Sequence, residues 1–471
     1  MNDYIDTFWS GLTKSFGRER KSSIVPNPVR FVTNEVHPGT DRGPAIQTSD
    51  GHPHLSSSVK GMGLSTRPDL QGKRAAMVTF SLFPYDPRPR RAADALFGQG
   101  MIVDLFCEGE KTAPKREVVN GINTWRLPIS HGRGGKLRYA YEYSAFILMA
   151  SAFLALRSLR HRYDLVYVHN MPDVLVLSGL IPRMLGAKVI LDQHDPMPEL
   201  MTTIFNLDPD SLSVRVVKRL EKWSLACANL VITVNVTCKR IFATRSCPPE
   251  KIGVVMNSPN EDIFPFQVTS KVEPRNQTPN KRFVIMCHGS IVERNGLDLA
   301  IAALARVKES VPEVEFRIFG RRTPFLDRIM EDVRTQGLDE NVRYLGGKMQ
   351  EELVQEIEAC DVGIIPNPRN AFTEINTPTR IFEYLALGKP AICPRTSGIQ
   401  DYFSEDSLIY FDPGNVDDLA KKIEYVATHA DEAVEMAKRG QQVYLAHTWA
   451  QERQTLVNLV SELLSPHAAQ S

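Results

Sequence analysis

Short apolar runs alternate with helical patterns along most of the chain, and this alternation predicts its organisation. Runs such as AAMVTFSLF (75–83) and YDLVYVH (163–169) are typical of buried strands, and helical patterns separate them. Strands that alternate with helices favour parallel sheets covered on both faces. The pattern occupies residues 73–266 and begins again over 282–448, with a polar, proline-containing linker at 267–281. We therefore predict an α/β protein with two tandem Rossmann-like, doubly wound domains facing a central cleft.

The two ends of the chain depart from this pattern. Residues 1–72 are rich in Ser, Pro, Gly and His, which predicts a largely disordered tail. Within it, apolar side chains recur at helical spacing over 3–18, ahead of several basic residues. This amphipathic helix has two interpretations: it docks on a membrane surface or partner, or it packs on its own protein. Residues 449–471 contain a terminal helix. One interpretation is that this helix crosses back to the first domain.

Composition and charge exclude several classes of protein. Lys and Arg total 56 against 55 Asp and Glu, so no overall field favours a nucleic-acid partner. The seven cysteines show no C-x-x-C spacing, which favours a reducing compartment and argues against a structural zinc site. No secretory signal opens the chain, and the longest apolar run, 145–156, is too short to span a bilayer. We interpret that run as a core helix and expect a cytoplasmic protein.

The segment TPTRIFEYLALGKP places one carboxylate, Glu383, inside a helix that is apolar on almost every side. A buried carboxylate needs a polar partner. With Thr377 as N-cap and a proline at N1, the free N–H groups of Thr379 and Arg380 predict a phosphate site at the helix start. Two interpretations stay open here: Glu383 meets the hydroxyls of a ligand such as a nucleotide, or it pairs with Arg380 one turn back.

The start of the second domain carries a compatible phosphate-binding pattern. In CHGSIVERNG, Gly289 and Ser290 follow a strand, and Arg294 precedes the next helix. Glycine allows the backbone to approach a phosphate closely, and arginine supplies charge-assisted hydrogen bonds. Each pattern is common alone, and their combination in this order favours nucleotide binding.

The first domain offers polar side chains where strands end. The loop FPYDPRPRRAAD has two interpretations, and both stay open. In the first, its polar residues contact an acceptor or a phosphate. In the second, its arginines form a solvated basic face. Side chains at the carboxyl ends of parallel strands point towards the ligand crevice. The candidates in these places are Asp86, Arg88, Arg90, Arg91, His169, His194, Asp195 and Glu199.

These motifs, from YDLVYVHNMPDVLV through ILDQHDPMPE to TPTRIFEYLALGKPAI, resemble the retaining glycosyltransferases of family 4, over roughly residues 75 to 465. The resemblance implies the GT-B fold and assigns Glu383 to the ribose hydroxyls of a donor. The family's other donor acid falls at Ile375, with Glu374 one residue away, so either the loop shifts to present Glu374 to the hexose or that contact is absent. Arg294 is the local cation for the diphosphate, with Arg380 assisting.

The resemblance also implies an activity: transfer of a hexose from a nucleoside-diphosphate sugar to an acceptor hydroxyl with retention of anomeric configuration. Arg294, His169 and His194 are its candidate catalytic residues, while Asp86, Arg88, Arg91 and Asp195 lie on the acceptor side. No cofactor and no metal are expected, and we interpret Asp208-Pro209-Asp210 as a helix cap rather than a metal ligand.

The expected partners are a nucleotide sugar and a saccharide or lipid-linked saccharide acceptor, in cell-envelope or exopolysaccharide synthesis, with peripheral contact at the inner membrane face. The alternatives are a non-catalytic nucleotide-sugar-binding scaffold and a GT-B sugar-nucleotide epimerase. A nicotinamide-dependent dehydrogenase is disfavoured because no G-x-G-x-x-G follows the first strand of either domain.

Overall fold

The structure is a computed structural model, and two β-sheets organise it, one in each half of the chain. It describes four segments: residues 70–110, 113–129, 136–269 and 282–465. The predicted helix at 3–18 and most of the predicted linker at 267–281 lie outside these residues.

The first sheet has eight strands in the order β3-β4-β2-β1-β5-β6-β7-β8. All neighbours are parallel except β3 and β4, which form an antiparallel hairpin. The strands are β1 Arg74–Val78, β2 Ile102–Glu108, β3 Arg116–Val119, β4 Ile122–Leu127, β5 Leu165–His169, β6 Lys188–Gln193, β7 Leu230–Thr233 and β8 Ile252–Val254.

Helices cover both faces of this sheet. They are α1 Pro87–Phe97, α2 Lys136–Arg160, α3 Leu180–Met184, α4 Met197–Phe205, α5 Leu212–Cys227 and α6 Val236–Arg245, with short 3-10 turns at Asp173–Gly179 and Pro249–Lys251. Buried side chains of α2, α5 and α6 share one core on one face of the sheet. Buried side chains of α1 pack on the opposite face.

The second sheet has six parallel strands in the order β11-β10-β9-β12-β13-β14. The strands are β9 Phe283–His288, β10 Val314–Phe319, β11 Val342–Tyr344, β12 Val362–Ile364, β13 Ala391–Pro394 and β14 Ile409–Phe411. The helices are α7 Leu297–Val307, α8 Pro324–Thr335, α9 Gln350–Glu358, α10 Thr379–Ala386, α11 Ser397–Gln400, α12 Val416–Thr428, α13 Ala430–Ala446 and α14 Trp449–Leu463, with a 3-10 turn at Glu293–Asn295. The predicted pair of doubly wound parallel sheets is confirmed.

The terminal helix α14 joins the second domain to the first. Its residues Leu456, Val457 and Val460 are buried in the core that contains α1. A carboxylate oxygen of Glu452 also accepts a 2.7 Å hydrogen bond from the backbone N–H of Met256 in the first domain. The first and the last described elements of the chain, β1 and α14, therefore both belong to the core of the first domain.

The hairpin β3–β4 was not predicted from the sequence. Its turn contains Asn120 and Gly121, which both have positive φ values, 50° and 84°. An Asn-Gly pair between short apolar runs is a strong hairpin signal because both residues tolerate this conformation. The signal was therefore present in the sequence, and the expectation of a purely alternating β–α pattern concealed it.

Helix α2 contains the predicted core helix at 145–156, but it is longer than predicted and only one of its faces is buried. It has 25 residues, and Leu148 and Leu156 are 71% and 64% exposed. By length and composition alone, its part Tyr141–Arg160 would be able to cross a membrane. The sequence prediction considered only the uninterrupted apolar run, whereas the helix continues through the flanking polar residues.

Candidate functional site

Glu383 meets a histidine rather than the arginine on its own helix. Its Oε2 lies 2.6 Å from Nε2 of His288, the last residue of β9, and both residues are buried. The other ring nitrogen of His288 lies 2.9 Å from the hydroxyl of Tyr384. Arg380 turns away and donates instead to the carbonyl oxygen of His288 at 2.8 Å. The alternative that Glu383 pairs with Arg380 is therefore wrong.

Hydrogen-bond counting places a proton between Glu383 and His288. The hydroxyl of Tyr384 donates its one proton to the carbonyl of Met286 at 2.9 Å, so Nδ1 of His288 must donate to that hydroxyl. Two bare acceptors cannot face each other at 2.6 Å, and Nε2 and Oε2 therefore share a further proton. This hydrogen bond to His288 is how a mostly apolar helix accommodates a carboxylate.

Helix α10 begins one residue later than predicted. Pro378 is its N-cap residue, and no side chain caps it. The hydroxyl of Thr377, the predicted cap, donates to the carbonyl of Gly398 at 2.6 Å and accepts from Asn235 at 3.1 Å. The free N–H groups of the first turn still belong to Thr379 and the residue after it, so the geometry for a phosphate at the helix start persists.

Asn235 connects the two domains, and the sequence prediction missed it. It follows β7 in the first domain, and its amide also donates to the carbonyl of Ile375 at 2.8 Å. Through these bonds the first domain holds the loop that leads into α10. The signal was its place directly after a strand, at the end of ANLVITVN, where a polar side chain faces the other domain.

The glycine turn after β9 lies against α10. Gly289 has φ 114°, a conformation that L side chains rarely adopt, and a Cβ there would lie 3.6 Å from Cδ of Arg380. Ser290 is exposed beside it, while Arg294 is buried in the following 3-10 turn. Gly296, with φ 66°, lets that turn pack against the backbone of Pro366, because a Cβ would meet its carbonyl oxygen at 1.9 Å. The two predicted phosphate-binding motifs therefore form one wall.

Glu374 is engaged by its own protein. Its Oε2 accepts from Arg369 at 2.6 Å, and its Oε1 accepts from the backbone N–H and hydroxyl of Ser397 at 3.1 and 2.6 Å. Ile375, where the resemblance places an acid, is buried. Both oxygens of Glu374 therefore brace the loop before α10 in this structure.

Arg88, in the predicted basic loop of the first domain, does not belong to a solvated face. It is also not free to contact a ligand. That guanidinium forms hydrogen bonds with both carboxylate oxygens of Asp192 at 2.8 to 3.1 Å and donates to the carbonyl of Val255 at 2.9 Å. Although burial opposes the charge, Arg88 holds the pKa of Asp192 below its ordinary value. The partners lie 104 residues apart, which is why the loop pattern did not indicate the pair.

The other loop residues have local roles. Asp86 caps α1 by accepting from the backbone N–H of Arg88 at 3.3 Å. Arg91 donates to the backbone carbonyls of Pro87 and Ser258. Burial, followed by the charge of Arg88, lowers the pKa of Arg91 to about 10, while the carboxylate of Glu383 acts in the opposite direction. This electrostatic interaction reaches from the first domain to Glu383 in the second.

The strand-end histidines are more deeply buried than predicted. His169 is fully enclosed, and burial lowers its pKa to about 3. His194 is 6% exposed, and the ring nitrogens of both have no hydrogen-bond partner among the described residues. Asp195 is half-buried. Both ring nitrogens of each histidine are buried, so neither is directly exposed to a ligand in this structure.

His169, Asp192 and His194 place potential metal-ligating atoms within 4.8 Å of one another. Arg88 occupies both oxygens of the carboxylate, and the hydroxyl of Tyr167 donates to one of them at 3.0 Å. A guanidinium bound this closely competes with a cation for the same oxygens. The cluster therefore fits an ion pair better than a metal site.

Two further acidic candidates are structural. Glu199 forms a bidentate pair with Arg245 at 2.5 and 2.9 Å. Asp208 accepts from the backbone N–H of Asp210 at 2.8 Å in the turn before α5, whose N-cap is Ser211. The Asp-x-Asp motif thus shapes the turn and does not itself cap the helix.

Comparisons with known proteins agree with this arrangement. Residues 86–258 match the family described as glycosyl transferase 4-like domain, and residues 269–443 match glycosyl transferases group 1. The chain is 22% identical over 311 residues to the GPI3 subunit of phosphatidylinositol N-acetylglucosaminyltransferase from Saccharomyces cerevisiae, covering 65% of this chain and 63% of that subunit. It is 22% identical to the probable glycosyltransferase WbjE of Pseudomonas aeruginosa, covering 57% of this chain and 66% of WbjE. The chain thus spans less than two thirds of these relatives.

Solved structures show the same architecture. Sucrose-phosphate synthase from Thermosynechococcus elongatus superposes with a TM-score of 0.67 at 17% identity, over 84% of this chain and all of that one. HepE of Anabaena, in complex with UDP, superposes with a TM-score of 0.59 at 15% identity, over 83% of this chain and all of HepE. The predicted GT-B fold is confirmed, and the chain belongs to the group 1, family 4-type glycosyltransferases.

Proposed function

We propose that this protein is a retaining hexosyltransferase that moves a hexose from a nucleoside-diphosphate sugar to an acceptor hydroxyl. The pair of Glu383 and His288 is the observation that carries this proposal. His288 holds Oε2, and Oε1 has no hydrogen-bond partner among the described residues and remains available to a ribose hydroxyl. The start of α10 and the turn at Gly289, where a diphosphate would bind, lie on the same wall.

Nucleotide binding by structural neighbours supports this donor class. HepE of Anabaena was solved with UDP-glucose, and starch synthase IV of Arabidopsis thaliana with ADP. We propose that the base of the donor stacks beyond the ribose, and that the diphosphate accepts hydrogen bonds from the first-turn N–H groups of α10 and from Arg294. Arg380, which already binds the carbonyl of His288, fixes the turn against the helix.

We propose a mechanism without a protein nucleophile and without a metal ion. Departing diphosphate accumulates negative charge on its oxygen, and guanidinium and backbone N–H groups stabilise that charge in the transition state. The same oxygen then takes the proton of the acceptor hydroxyl, which attacks the anomeric carbon from the face that the diphosphate leaves. Closure of the two domains excludes the water that would hydrolyse the donor.

We propose a lipid-linked saccharide or related lipid acceptor in cell-envelope or polysaccharide synthesis. The names of the relatives, which include a phosphatidylinositol-modifying enzyme and glycosyltransferases of colanic acid and amylovoran biosynthesis, support this class. His194 and the half-buried Asp195 lie at the cleft end of the first sheet, where the acceptor would enter. With this acceptor we propose a cytoplasmic location at the inner membrane face.

A thermal-stability screen against a panel of nucleoside-diphosphate sugars tests the donor assignment. A ligand that binds only the folded protein, at a concentration 100 times its dissociation constant, raises the free energy of unfolding by about 2.7 kcal/mol. That gain raises the melting temperature by several degrees. Stabilisation by one base and sugar identifies the donor, and no stabilisation by any member refutes the proposal. Product analysis with the stabilising donor then separates transfer from mere binding, because the engaged Glu374 also suits a donor-binding scaffold.

A further inference from the structure

The outer surface of α2, α3 and α5 is apolar and basic, and the nucleotide site does not use it. Twelve of the large apolar side chains that are exposed in the described residues lie on these three helices. Leu159 on α2 and Met184 on α3 are 73% and 85% exposed, and Leu212 and Val216 on α5 are 64% and 50% exposed. Such a concentration exceeds the scattered apolar residues that are normal on a soluble surface.

The exposed charges on this outer helical surface have one sign. Arg160, Arg215, Arg219 and Lys222 are exposed and form no ion pair with any described residue. The acids of α2 and α5 are Glu142 and Glu221; both are buried, and each binds an arginine. The exposed acids Asp208 and Asp210 lie in the turn before α5. The surface therefore presents apolar and cationic groups side by side, which is the chemistry of a helix face that lies at an anionic lipid interface.

We propose that the outer helical surface of α2, α3 and α5 docks the protein on an anionic membrane. The helices lie on the bilayer and do not cross it. Phe146, Ala150, Leu154 and Ser158 of α2 are buried, and the first three belong to the core against the first sheet. A spanning helix would have to abandon that core. The apolar side chains enter the headgroup region, and the arginines and lysine neutralise acidic headgroups.

Other occupants of this surface fit its charge poorly. A second copy that docked through the same surface would bring like charges together. The N-terminal segment 3–18 carries Asp3 and Asp6 as well as Lys14 and Arg18, so it has no net negative charge to pair with these cations. An anionic lipid surface is complementary to both features at once.

The surface extends to the cleft. Helices between parallel strands run opposite to them, so α2 and α5 begin at the strand ends that carry His169 and His194. Tyr141 and Leu212, near those helix starts, are 71% and 64% exposed. If the proposed lipid-linked acceptor is correct, docking here brings the membrane to the rim of the acceptor side. The membrane proposal itself does not depend on the identity of the donor or on turnover.

Vesicle sedimentation with the full chain tests the proposal. The probes are vesicles of phosphatidylcholine alone and of phosphatidylcholine mixed with phosphatidylglycerol. We expect binding to the mixed vesicles, weakened by added salt. Changing Arg215→Glu and Arg219→Glu together should reduce the binding constant by at least about 25-fold, since each cation near the surface contributes about fivefold. Changing Leu148→Ser and Leu156→Ser together should reduce it about tenfold or more.

Matched controls lie elsewhere on the protein. Arg453→Glu reverses an exposed charge on α14, on the opposite side of the first sheet, and Val118→Ser removes a 66% exposed apolar side chain on β3. Both should bind vesicles as the wild type does. Absence of wild-type binding to mixed vesicles, or binding that survives both outer-surface variants, overturns the proposal. Light scattering that reveals a dimer dissociated by these variants also overturns it in favour of a second copy.

Discussion

Nε2 of His288 at the end of β9 lies 2.6 Å from Oε2 of Glu383 in the middle of α10. Ninety-five residues separate the two along the chain. The contact fixes the carboxylate at the junction between the glycine turn after β9 and the helix, with its second oxygen available. A donor that carries a ribose and a diphosphate satisfies both elements of the junction at once.

Replacing the carboxylate should weaken donor binding without unfolding the protein. For Glu383→Ala we expect a dissociation constant about 10- to 100-fold higher, because a hydrogen bond to a charged group contributes about 1.5–3 kcal/mol. Titration calorimetry with the donor measures this. Glu351→Ala, at an exposed acid on α9, is the matched control. Wild-type affinity in Glu383→Ala would contradict the ribose assignment.

Histidine 288 acts as a positioning residue through Glu383. In His288→Ala the carboxylate loses its partner and its orientation, and donor affinity should fall about tenfold. The amide of His288→Gln can still donate to Oε2, so this variant should recover most of the loss. Dissociation constants for the two variants check this. Equal losses in both would indicate that the histidine supports packing rather than the orientation of Glu383.

Removing the cation at Arg294 should affect turnover more than binding. We expect Arg294→Ala to lower kcat by about 100-fold or more, the usual effect of deleting one donor to a developing charge. Single-turnover kinetics with saturating donor separate this effect from affinity. Because Arg294 is buried, the melting temperature of the Arg294→Ala variant must be compared with that of the wild type. A stable variant with unchanged kcat would remove Arg294 from the mechanism.

Arg88 should stabilise the first domain. In Arg88→Ala, Asp192 stays buried without its partner, and breaking a buried pair costs about 3–5 kcal/mol of unfolding free energy. Arg90→Ala, two residues away at an exposed arginine with a loose 3.8 Å contact to Asp94, should change little. Urea unfolding monitored by circular dichroism compares them. A small loss of unfolding free energy in Arg88→Ala would favour the predicted role of Arg88 at the acceptor over a structural role.

Stability should decline on the acid side because of His169. The unfolded imidazole titrates near 6.5, whereas burial lowers the folded pKa to about 3. Between these values only the unfolded chain binds the proton, so the free energy of unfolding falls as the pH drops from about 6.5 towards 3. His169→Phe should flatten this dependence above about pH 4. Melting temperatures measured across the range test it, and an unchanged slope would contradict it.

The sequence predicted the parts of this protein that depend on local patterns. The alternation of strands and helices, and the glycine turn at Gly289 after a strand, are local features that neighbouring residues determine. The partners of buried charges are not local. His288 with Glu383, and Arg88 with Asp192, meet only after the sheets form, across 95 and 104 residues. The predictions for these charged residues failed because their partners lay on distant elements, whereas the hairpin β3–β4 was missed although its Asn120-Gly121 signal was local.

The central claim is that Glu383 binds the ribose of a nucleotide donor. The most direct test is a calorimetric double-mutant cycle with the nucleotide selected by the stability screen and its 2′,3′-dideoxy analogue, against wild type and Glu383→Ala. The account predicts that the wild type binds the dideoxy analogue about 10- to 100-fold more weakly, whereas the variant binds both equally. An equal loss of affinity in both proteins would contradict it.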